Sequence, residues 1–462
     1  MEVENITVEH IILETGLGKG IEEYGNMGDV SMLQVAVDRL HELYPNARIE
    51  VLTDSSENLL RFCPAAVPLD HRGRALWFSD GVVSGRYRNL IPGLVVKFLV
   101  QVKRTVRLRF PALLRALLLK RLKRQNRSQD AESLEAFTRA FERANLVVIC
   151  GAGGFYDGCQ GWNMDILDLI EASSQRNIPA VLLGQGFGPL SSPSVLKRAA
   201  KILPLARFIT LRGGRGSLGL LQSLGISESK VQTTGDEALE LAYESRASEP
   251  GKALGINIRF LASAWTDQND LESIRPVLHE FARRHNVPLI PLPIAIHLGT
   301  RDDLAIKQLL SGFDDQSDGG AGLDSPLKVI KQVGLCRVIV TGAYHAAVFA
   351  LGQGIPVIAL AKSEYFSRKL LGLEDQFGEG CQTLLLNEPD LPRRLQSAIE
   401  KAWQNADKMR EPIQTVTLRQ IELSRRSYGK LRGLVPGDFK ITANRFVQRR
   451  PEAAADTEPR NV

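Results

Sequence analysis

His345 is the residue whose type and position most favour chemistry. It follows Cys336 to Val340, an apolar run typical of a buried parallel strand, and a helical pattern of small and apolar residues begins at it. Open α/β sheets bind ligands where strands end and helices begin. An imidazole there can exchange a proton near neutral pH, so His345 is the predicted catalytic residue. The alternative is a hydrogen-bonded histidine of the core.

Two arginines and two aspartates stand at comparable positions. Arg212 and Arg259 each end a predicted strand, and arginine can hold a carboxylate or phosphate through paired hydrogen bonds. Asp29 and Asp236 each follow a glycine turn. All four are predicted to contact a substrate. The alternatives are ion pairs for the arginines and helix capping for the aspartates.

Three glycine-rich turns follow predicted strands, at residues 25–29, 151–154 and 184–188. Glycine lets backbone N–H groups approach an anion, and the following helix adds the positive end of its dipole. None of the turns matches the dinucleotide fingerprint, because Tyr156 stands where the third glycine is needed, so NAD and FAD are disfavoured. The alternative is tight strand–helix packing. The further predicted substrate-binding residues are Asn26, Gly28, Gly153, Gly154, Gly186 and Tyr344.

Strand–helix alternation in both halves of the chain predicts an α/β protein with two Rossmann-like parallel-sheet domains that face a cleft. The predicted strands are Ile6–Leu13, Arg48–Thr53, Leu146–Cys150, Ala180–Leu183, Phe208–Arg212, Val231–Thr234, Ala253–Arg259, Pro288–Pro293, Val338–Thr341 and Val357–Ala361. A polar linker is expected at 244–252. The predicted domains are 1–245, with a basic helical insertion at about 62–127, and 250–390. A helical tail at 391–450 and a disordered end at 451–462 follow.

Composition is that of an ordinary globular protein, with 44% hydrophobic and 24% charged residues among 462. No stretch approaches 18 uninterrupted apolar residues, and the acidic start MEVENITVEH lacks a signal-peptide pattern. Five scattered cysteines without a CxxC pair favour reduced thiols and argue against zinc. A cytoplasmic protein without a bound metal is expected.

Positive charge is concentrated in one segment. Eleven of the 58 Lys and Arg residues lie between Lys97 and Arg127, where Asp and Glu are absent. The rest of the chain has 47 basic and 52 acidic residues. A solvated helical hairpin is one interpretation. The other is an interfacial helix that holds the protein against an anionic membrane at its cytoplasmic face. Nucleic acid is disfavoured, since Phe98 and Phe110 are the segment's aromatics and no binding motif is present.

The ordered set of motifs resembles the polysaccharide pyruvyl transferases from about residue 10 to about 385. The set is far more specific than any one motif. The residues that carry the resemblance are Gly25-Asn26-x-Gly28-Asp29, Gly153-Gly154, Gly186-x-Gly188-Pro189, Leu211-Arg212 with Ser217 and Leu224-Gly225, Gly235-Asp236, Asn257-Ile258-Arg259 and His345-x-x-x-Phe349-Ala350.

The resemblance implies a fold similar to the GT-B glycosyltransferases. It also implies transfer of pyruvate from phosphoenolpyruvate onto two hydroxyls of a sugar, in exopolysaccharide or cell-surface glycan biosynthesis. The implied partner is a saccharide acceptor, and contact with a membrane would suit a lipid-linked one. Phosphoenolpyruvate is implied as a substrate and not as a cofactor.

One motif departs from the family pattern. Where the family often has Arg-Leu-His, with the arginine helping to hold the donor's anionic groups, this chain has Ala343-Tyr344-His345. Arg212, Arg259 or Arg337 is then expected to supply the charge. Two alternatives stay open, a GT-B glycosyltransferase that uses a nucleotide-sugar and a non-catalytic sugar-binding relative.

Overall fold

The apolar runs form two parallel sheets in the computed structural model, which describes residues 8–16, 24–79, 93–151, 153–259, 267–297 and 299–435. The strands of the first sheet are β1 (His10–Glu14), β2 (Arg48–Thr53), β3 (Val67–Asp70), β4 (Leu146–Ile149), β5 (Ala180–Gln185), β6 (Ile209–Leu211) and β7 (Val231–Thr233). Their order across the sheet is β3-β2-β1-β4-β5-β6-β7. The order reverses between β1 and β4, which makes that crevice the topological switch point of the sheet.

The second sheet has the same architecture. Its strands are β8 (Ala253–Asn257), β9 (Leu289–Pro291), β12 (Cys336–Thr341), β13 (Val357–Ala361) and β14 (Cys381–Leu385), in the order β14-β13-β12-β8-β9. The short strands β10 (Ile296–His297) and β11 (Thr300–Arg301) form an antiparallel pair apart from it. The switch point lies between β8 and β12, where Asn257 and Thr341 are paired in register.

Helices alternate with these strands and cover the sheets. In the first lobe, β1 to α10, they are α1 (Met27–Leu43), α2 (Ser56–Phe62), α3 (His71–Phe78), α4 (Gly93–Arg109), α5 (Pro111–Arg124), α6 (Ser128–Arg143), α7 (Gln160–Gln175), α8 (Pro193–Ile202), α9 (Arg215–Ser223) and α10 (Ala238–Glu244). In the second lobe, β8 to α15, they are α11 (Gln268–His285), α12 (Asp302–Leu310), α13 (Pro326–Val333), α14 (Tyr344–Gly352) and α15 (Glu364–Phe377). The final helix is α16 (Leu391–Gly429).

Most of the predicted elements are present, and the predicted α/β class is confirmed. The short pair β10–β11 and two strands of the parallel sheets were not predicted. The first, β3, lies inside the proposed insertion, and the second, β14, has a half-polar pattern. The first predicted strand starts at His10 within the described residues, and its portion before Val8 lies outside them, as does the tail beyond Val435. The exact domain limits stay a prediction, although the first sheet ends at β7 and the second begins at β8.

The lobes share an apolar interface. One continuous cluster of buried side chains contains Met32 and Leu239 of the first lobe and Ala347 and Phe349 of the second. Helices α10 and α14 approach so closely that a Cβ on Gly352 would lie 2.6 Å from that of Ala242. The carboxyl ends of both sheets are therefore held beside each other.

Helix α16 ties the two lobes together. Its first turns bury Leu395 and Ile399 in the core of the second lobe, and its later turns place Ile421 and Tyr428 in the shared cluster. Arg425 donates to Glu240 of α10 at 2.6 Å, and so the tail is anchored on the first lobe by charge as well as by burial.

Candidate functional site

His345 lies between the lobes, at the second residue of α14. Its ring is 5% exposed and is surrounded by groups from the first lobe. Gly28 in the first turn of α1 packs so tightly on the ring that a Cβ there would overlap it. The ring is therefore buried in the seam between the two sheets, at the edge where both switch points lie, and not inside the core of one lobe.

One nitrogen of the imidazole, Nε2, lies near both a hydrogen-bond donor and a carboxylate. Nη1 of Arg212 lies 3.3 Å from Nε2 of His345, and Oδ2 of Asp236 lies 3.6 Å from it. Oδ1 of Asp29 is 4.0 Å away. Nε2 can accept a hydrogen bond from Arg212, and it also faces the carboxylates of Asp236 and Asp29. One cation and two carboxylates thus surround the nitrogen that an acid–base role would use.

Asp236 anchors this arrangement. It is 3% exposed, accepts from Nη1 of Arg212 at 3.1 Å and accepts from the Ala238 N–H at 2.9 Å. Burial by itself would raise the pKa of Asp236, but His345 and Arg212 stabilise the carboxylate and hold the pKa below its ordinary value. Asp236 therefore binds the first N–H group of α10 and lies beside the candidate catalytic residue at the same time.

Arg212 is fixed by several contacts at the end of β6. Nη1 approaches the sulfur of Met32 at 3.2 Å, and the guanidinium lies over the ring of Tyr344, 4.7 Å from its centroid. Burial also raises the pKa of the Tyr344 phenol, which therefore stays neutral over the ordinary pH range. Arg212 is thus held in one orientation beside His345, with its other amino group turned toward Gly153.

The first glycine turn bridges the lobes. The side chain of Asn26 caps α1 by accepting from the N–H groups of Gly28 and Asp29, so Asp29 is not the N-cap, as one interpretation had it. The Asn26 amide donates to Asp29 at 2.8 Å. The N–H of Met27 donates to the carbonyl of Ile294 at 2.8 Å across the seam. Asp29, with Asn26 bonded to it, is therefore brought to within 4.0 Å of His345 by a turn that the second lobe holds in place.

Arg259 has a different environment. Nε and Nη2 donate to the two carboxylate oxygens of Asp302 at 2.9 and 2.8 Å. Asp302 is fully buried and also accepts from Asn257 and from the N–H groups of Ile294 and Ala295. This ion pair closes the turn after β8. A substrate contact of Arg259 stays a prediction.

Arg337 cannot replace the family arginine. It lies near the start of β12, at the opposite end of the strand from His345. Its guanidinium makes a bidentate ion pair with Asp407 of α16 at 3.0 and 2.7 Å. The expectation that this residue could supply charge to the site is therefore wrong.

The other predicted glycines lie at different depths. Gly153 lies beside Arg212, whereas Gly154 packs on Trp162, whose ring a Cβ would meet at 2.7 Å. Gly186 is half-buried in the loop after β5, next to Phe187, which bridges to Phe155 in the loop after β4. Gly153 is thus in the His345 cluster, and Gly154 and Gly186 support the loops around it.

Lys369 is a site residue that the sequence did not reveal. It lies one turn after Tyr365 in α15, is half-buried, and its Nζ donates to the Tyr365 hydroxyl. Burial and the charge of Arg212 lower the pKa of this lysine well below its ordinary value. The sequence could have pointed to Lys369 in one way. Helix α15 directly follows β13, so its first turns lie at the same sheet edge as His345.

Tyr365 closes the cleft over these residues. Its hydroxyl donates to the carbonyl of Gly153 at 2.7 Å, and its ring stacks on Tyr156 at 4.1 Å between centroids. Both contacts cross from the second lobe to the first. They restrict water around Lys369 and Arg212, which strengthens electrostatic interactions there.

Among the described residues, no group of three or more His, Cys, Asp or Glu side chains could hold a metal ion. In the same part of the chain, no helix is long and apolar enough to cross a bilayer.

The architecture and the site define a class, an α/β protein with two Rossmann-like lobes arranged as in the GT-B glycosyltransferases. Solved structures share this fold at low sequence identity. A putative UDP-N-acetylglucosamine 2-epimerase from Listeria monocytogenes matches with a TM-score of 0.52 and 10% identity over 94% of this chain and 100% of its own. The kitacinnamycin glycotransferase matches with a TM-score of 0.50 and 10% identity over 93% and 99%.

The family is defined by sequence. The model of the polysaccharide pyruvyl transferase family matches residues 26–364, well over half of the chain. The chain therefore belongs to the polysaccharide pyruvyl transferase family, and the predicted resemblance is confirmed. A comparison with curated proteins gave no match.

Proposed function

We propose that this protein transfers pyruvate from phosphoenolpyruvate onto two hydroxyls of a saccharide and forms a cyclic ketal. The observation that carries the proposal is the position of His345, whose Nε2 lies between Arg212 at 3.3 Å and Asp236 at 3.6 Å in the seam of the lobes. Family membership supports a transferase with a saccharide substrate. The donor, the acceptor and the role in exopolysaccharide or cell-surface glycan biosynthesis are parts of the proposal.

The chemistry requires an acid–base group and positive charge. Protonation of the methylene carbon of phosphoenolpyruvate turns it into a methyl group and leaves positive charge on the adjacent carbon, which a sugar hydroxyl attacks. The C–O bond to phosphate then breaks, and a second hydroxyl closes the ketal. Of the two hydroxyl protons released, one replaces the proton given to the methylene carbon and the other leaves with hydrogen phosphate.

The residues at the seam match these needs. His345 delivers the proton to the methylene carbon and recovers one from the attacking hydroxyl, with Asp236 stabilising its charged form. Arg212 and the amides of the glycine turns hold the donor's anionic groups. Asn26, Asp29 and Tyr344 line the same place and are proposed to contact substrate. The inter-lobe contacts of Tyr365 limit the access of water to the charged intermediate.

Substitution of His345 tests this role. His345→Ala is expected to lower phosphate release from phosphoenolpyruvate by roughly 100-fold or more, because general acid–base catalysis is lost. The assay uses a panel of saccharides, with ketal formation followed by mass spectrometry. His41→Ala, at an exposed position of α1, is the matched control and should retain activity. Near-normal turnover of a folded His345→Ala protein would reject the role.

The donor can be tested without knowing the acceptor. Phosphoenolpyruvate should raise the melting temperature, whereas UDP- and GDP-sugars should not, because a ligand that binds only the folded state stabilises it. The opposite result would favour a nucleotide-sugar glycosyltransferase. If neither donor raised the melting temperature and none of the saccharides gave a product, a non-catalytic sugar-binding protein would be favoured.

The helical pair α4–α5 supports a second part of the proposal, a contact with an anionic membrane surface. Large apolar side chains that are exposed in this pair are Val95, Phe98, Val102, Phe110, Leu113 and Leu117. Phe98 is 67% exposed, whereas Arg107 is buried and donates to the carbonyls of Trp77 and Phe78. These six apolar side chains are thus open to solvent, as are Lys120, Lys123 and Arg124.

This surface combines the two features that bind interfacial helices to anionic lipids, apolar side chains and cations. It would suit a lipid-linked acceptor. The wild-type protein should sediment with phosphatidylserine-containing vesicles at low salt and much less with phosphatidylcholine vesicles. Phe98→Ser with Phe110→Ser should reduce sedimentation, and Leu335→Ser, at an exposed position in the second lobe, is the control. No sedimentation of the wild type at low salt would reject the membrane contact.

A further inference from the structure

Lys369 and Arg212 meet at Gly153 although they come from different lobes. A Cβ at residue 153 would overlap both the Nζ of Lys369 and the Nη2 of Arg212, so these nitrogens are close neighbours on either side of one point. Any side chain at residue 153 would therefore displace one or both of these nitrogens. Two cations are thereby directed at the turn that follows β4, at the switch point of the first sheet.

The two cations differ in their counter-charges. Arg212 is paired with Asp236 at 3.1 Å. Lys369 donates to the neutral hydroxyl of Tyr365, and among the described residues it has no carboxylate within ion-pair distance. Placing a lysine in a desolvated position beside a second cation costs free energy unless an anion joins them. An anion bound at Gly153 would therefore relieve the unfavourable proximity of Lys369 to Arg212.

We infer that Lys369 and Arg212 together form an anion-binding subsite at Gly153, with Lys369 supplying the positive charge that Ala343 does not. The subsite takes a phosphate or carboxylate group, which lies against the backbone of the glycine turn and between the two cations. The subsite requires only an anionic ligand, and its assignment to the donor phosphoenolpyruvate rests on the proposed function.

The geometry explains why this lysine can act from α15. Tyr365 and Lys369 are four residues apart, and so lie on one face of the helix. Tyr365 anchors that face to Gly153 by its hydrogen bond of 2.7 Å. The lysine is thereby positioned against the same turn, and the aromatic ring 3.9 Å from its Nζ stabilises the charged form when an anion is bound.

Binding measurements on three anions test the subsite. Calorimetry with phosphoenolpyruvate, inorganic phosphate and pyruvate compares the wild type with Lys369→Met, which keeps the aliphatic chain and removes the charge. We expect the substitution to weaken phosphoenolpyruvate binding at least tenfold, together with that of the simple anion that occupies the subsite. A loss for phosphate assigns the phosphate group to the subsite, and a loss for pyruvate assigns the carboxylate.

Lys362→Met is the matched control. Lys362 lies at the other side of the α15 N-terminus, where it pairs with Asp267 and Asp270 at 3.0 Å, and its replacement should leave anion binding unchanged. Gly153→Ala is the second variant, because its methyl group would occupy the point between the two cations. It should weaken anion binding even if Lys369→Met unfolds; circular dichroism checks the folding of each protein.

The outcomes separate the subsite from the proposed donor. Anion binding by Lys369→Met equal to that of the wild type would overturn the subsite, as would a wild type that binds none of the three anions. Lys369-dependent binding of phosphate, with phosphoenolpyruvate binding no tighter than phosphate, would support the subsite and count against the donor.

Discussion

Arg212 and Arg259 end strands in different lobes, each beside a buried aspartate, yet their environments differ. Asp302 receives both donors of Arg259 and three further hydrogen bonds, so its oxygens are fully used inside the protein. Asp236 accepts one amino group of Arg212 and lies 3.6 Å from His345. The first pair is closed, and the second is shared with His345. Strand-end arginines are therefore not equivalent, and the number of contacts on the carboxylate separates a structural pair from a candidate ligand site.

The closed pair should be tested by stability. Asp302→Asn removes the charge opposite Arg259, and we expect the free energy of unfolding to fall by about 3–5 kcal/mol, because a buried cation is left uncompensated. Denaturant unfolding followed by circular dichroism measures the change.

Asp407→Asn is the control for this experiment. It breaks the bidentate pair with Arg337 on the surface, where the carboxylate side chain is 64% exposed, and should cost less than about 1 kcal/mol. Equal losses in the two variants would show that burial does not distinguish these pairs.

The shared pair should be tested by activity. Arg212→Lys keeps a positive charge but loses the planar donor set, so we expect product formation to fall roughly 100-fold with a modest change in melting temperature. Arg259→Lys should show the reverse order, a larger loss of stability and a smaller loss of activity. Turnover with a responsive saccharide, and thermal unfolding of the same samples, give both readouts. A larger activity loss for Arg259→Lys than for Arg212→Lys would instead support the predicted substrate contact of Arg259.

Local patterns predicted the strands better than the site. Val357–Ala361 is a strand of five apolar residues, and its predicted limits match those of β13. The half-polar strand Cys381–Leu385 was missed because one of its faces is only partly buried. Short apolar runs that end at glycine or proline carry their own signal, whereas an edge strand depends on pairing with a neighbour that is distant in sequence.

Residues brought together by the fold were the least predictable. His345 was identified because a strand end and a helix start lie next to it in the sequence. Its contact with Gly28, and the meeting of Lys369 with Gly153, join positions that are hundreds of residues apart, and periodicity carries no information about them. The Arg259–Asp302 pair likewise joins residues that are 43 positions apart in the sequence and only 2.8 Å apart in space.

Glu237 is a buried carboxyl that makes no ion pair with an arginine among the described residues. It adjoins Asp236 and is 1% exposed, but its Oε1 accepts from the Tyr428 hydroxyl of α16 at 2.8 Å and Oε2 has no hydrogen-bond partner among the described residues. Burial raises the pKa of Glu237 from 4.5 to about 7, since the nearby Arg39 is paired with Glu240. Neighbouring carboxyls thus shift in opposite directions, according to whether a cation contacts them.

The raised pKa of Glu237 makes the stability of the protein depend on pH. Between pH 4.5 and about 7 the folded protein retains a proton that the unfolded chain releases, so the contribution of Glu237 to stability falls as pH rises through that window and is constant above it. Glu237→Gln keeps an acceptor for Tyr428 and cannot ionise. We expect the variant to be more stable than the wild type by about 3 kcal/mol at pH 8 and nearly equal to it at pH 4.5. Urea unfolding at both pH values measures the difference, and a gap that is the same at both would show that Glu237 is ionised in the folded protein.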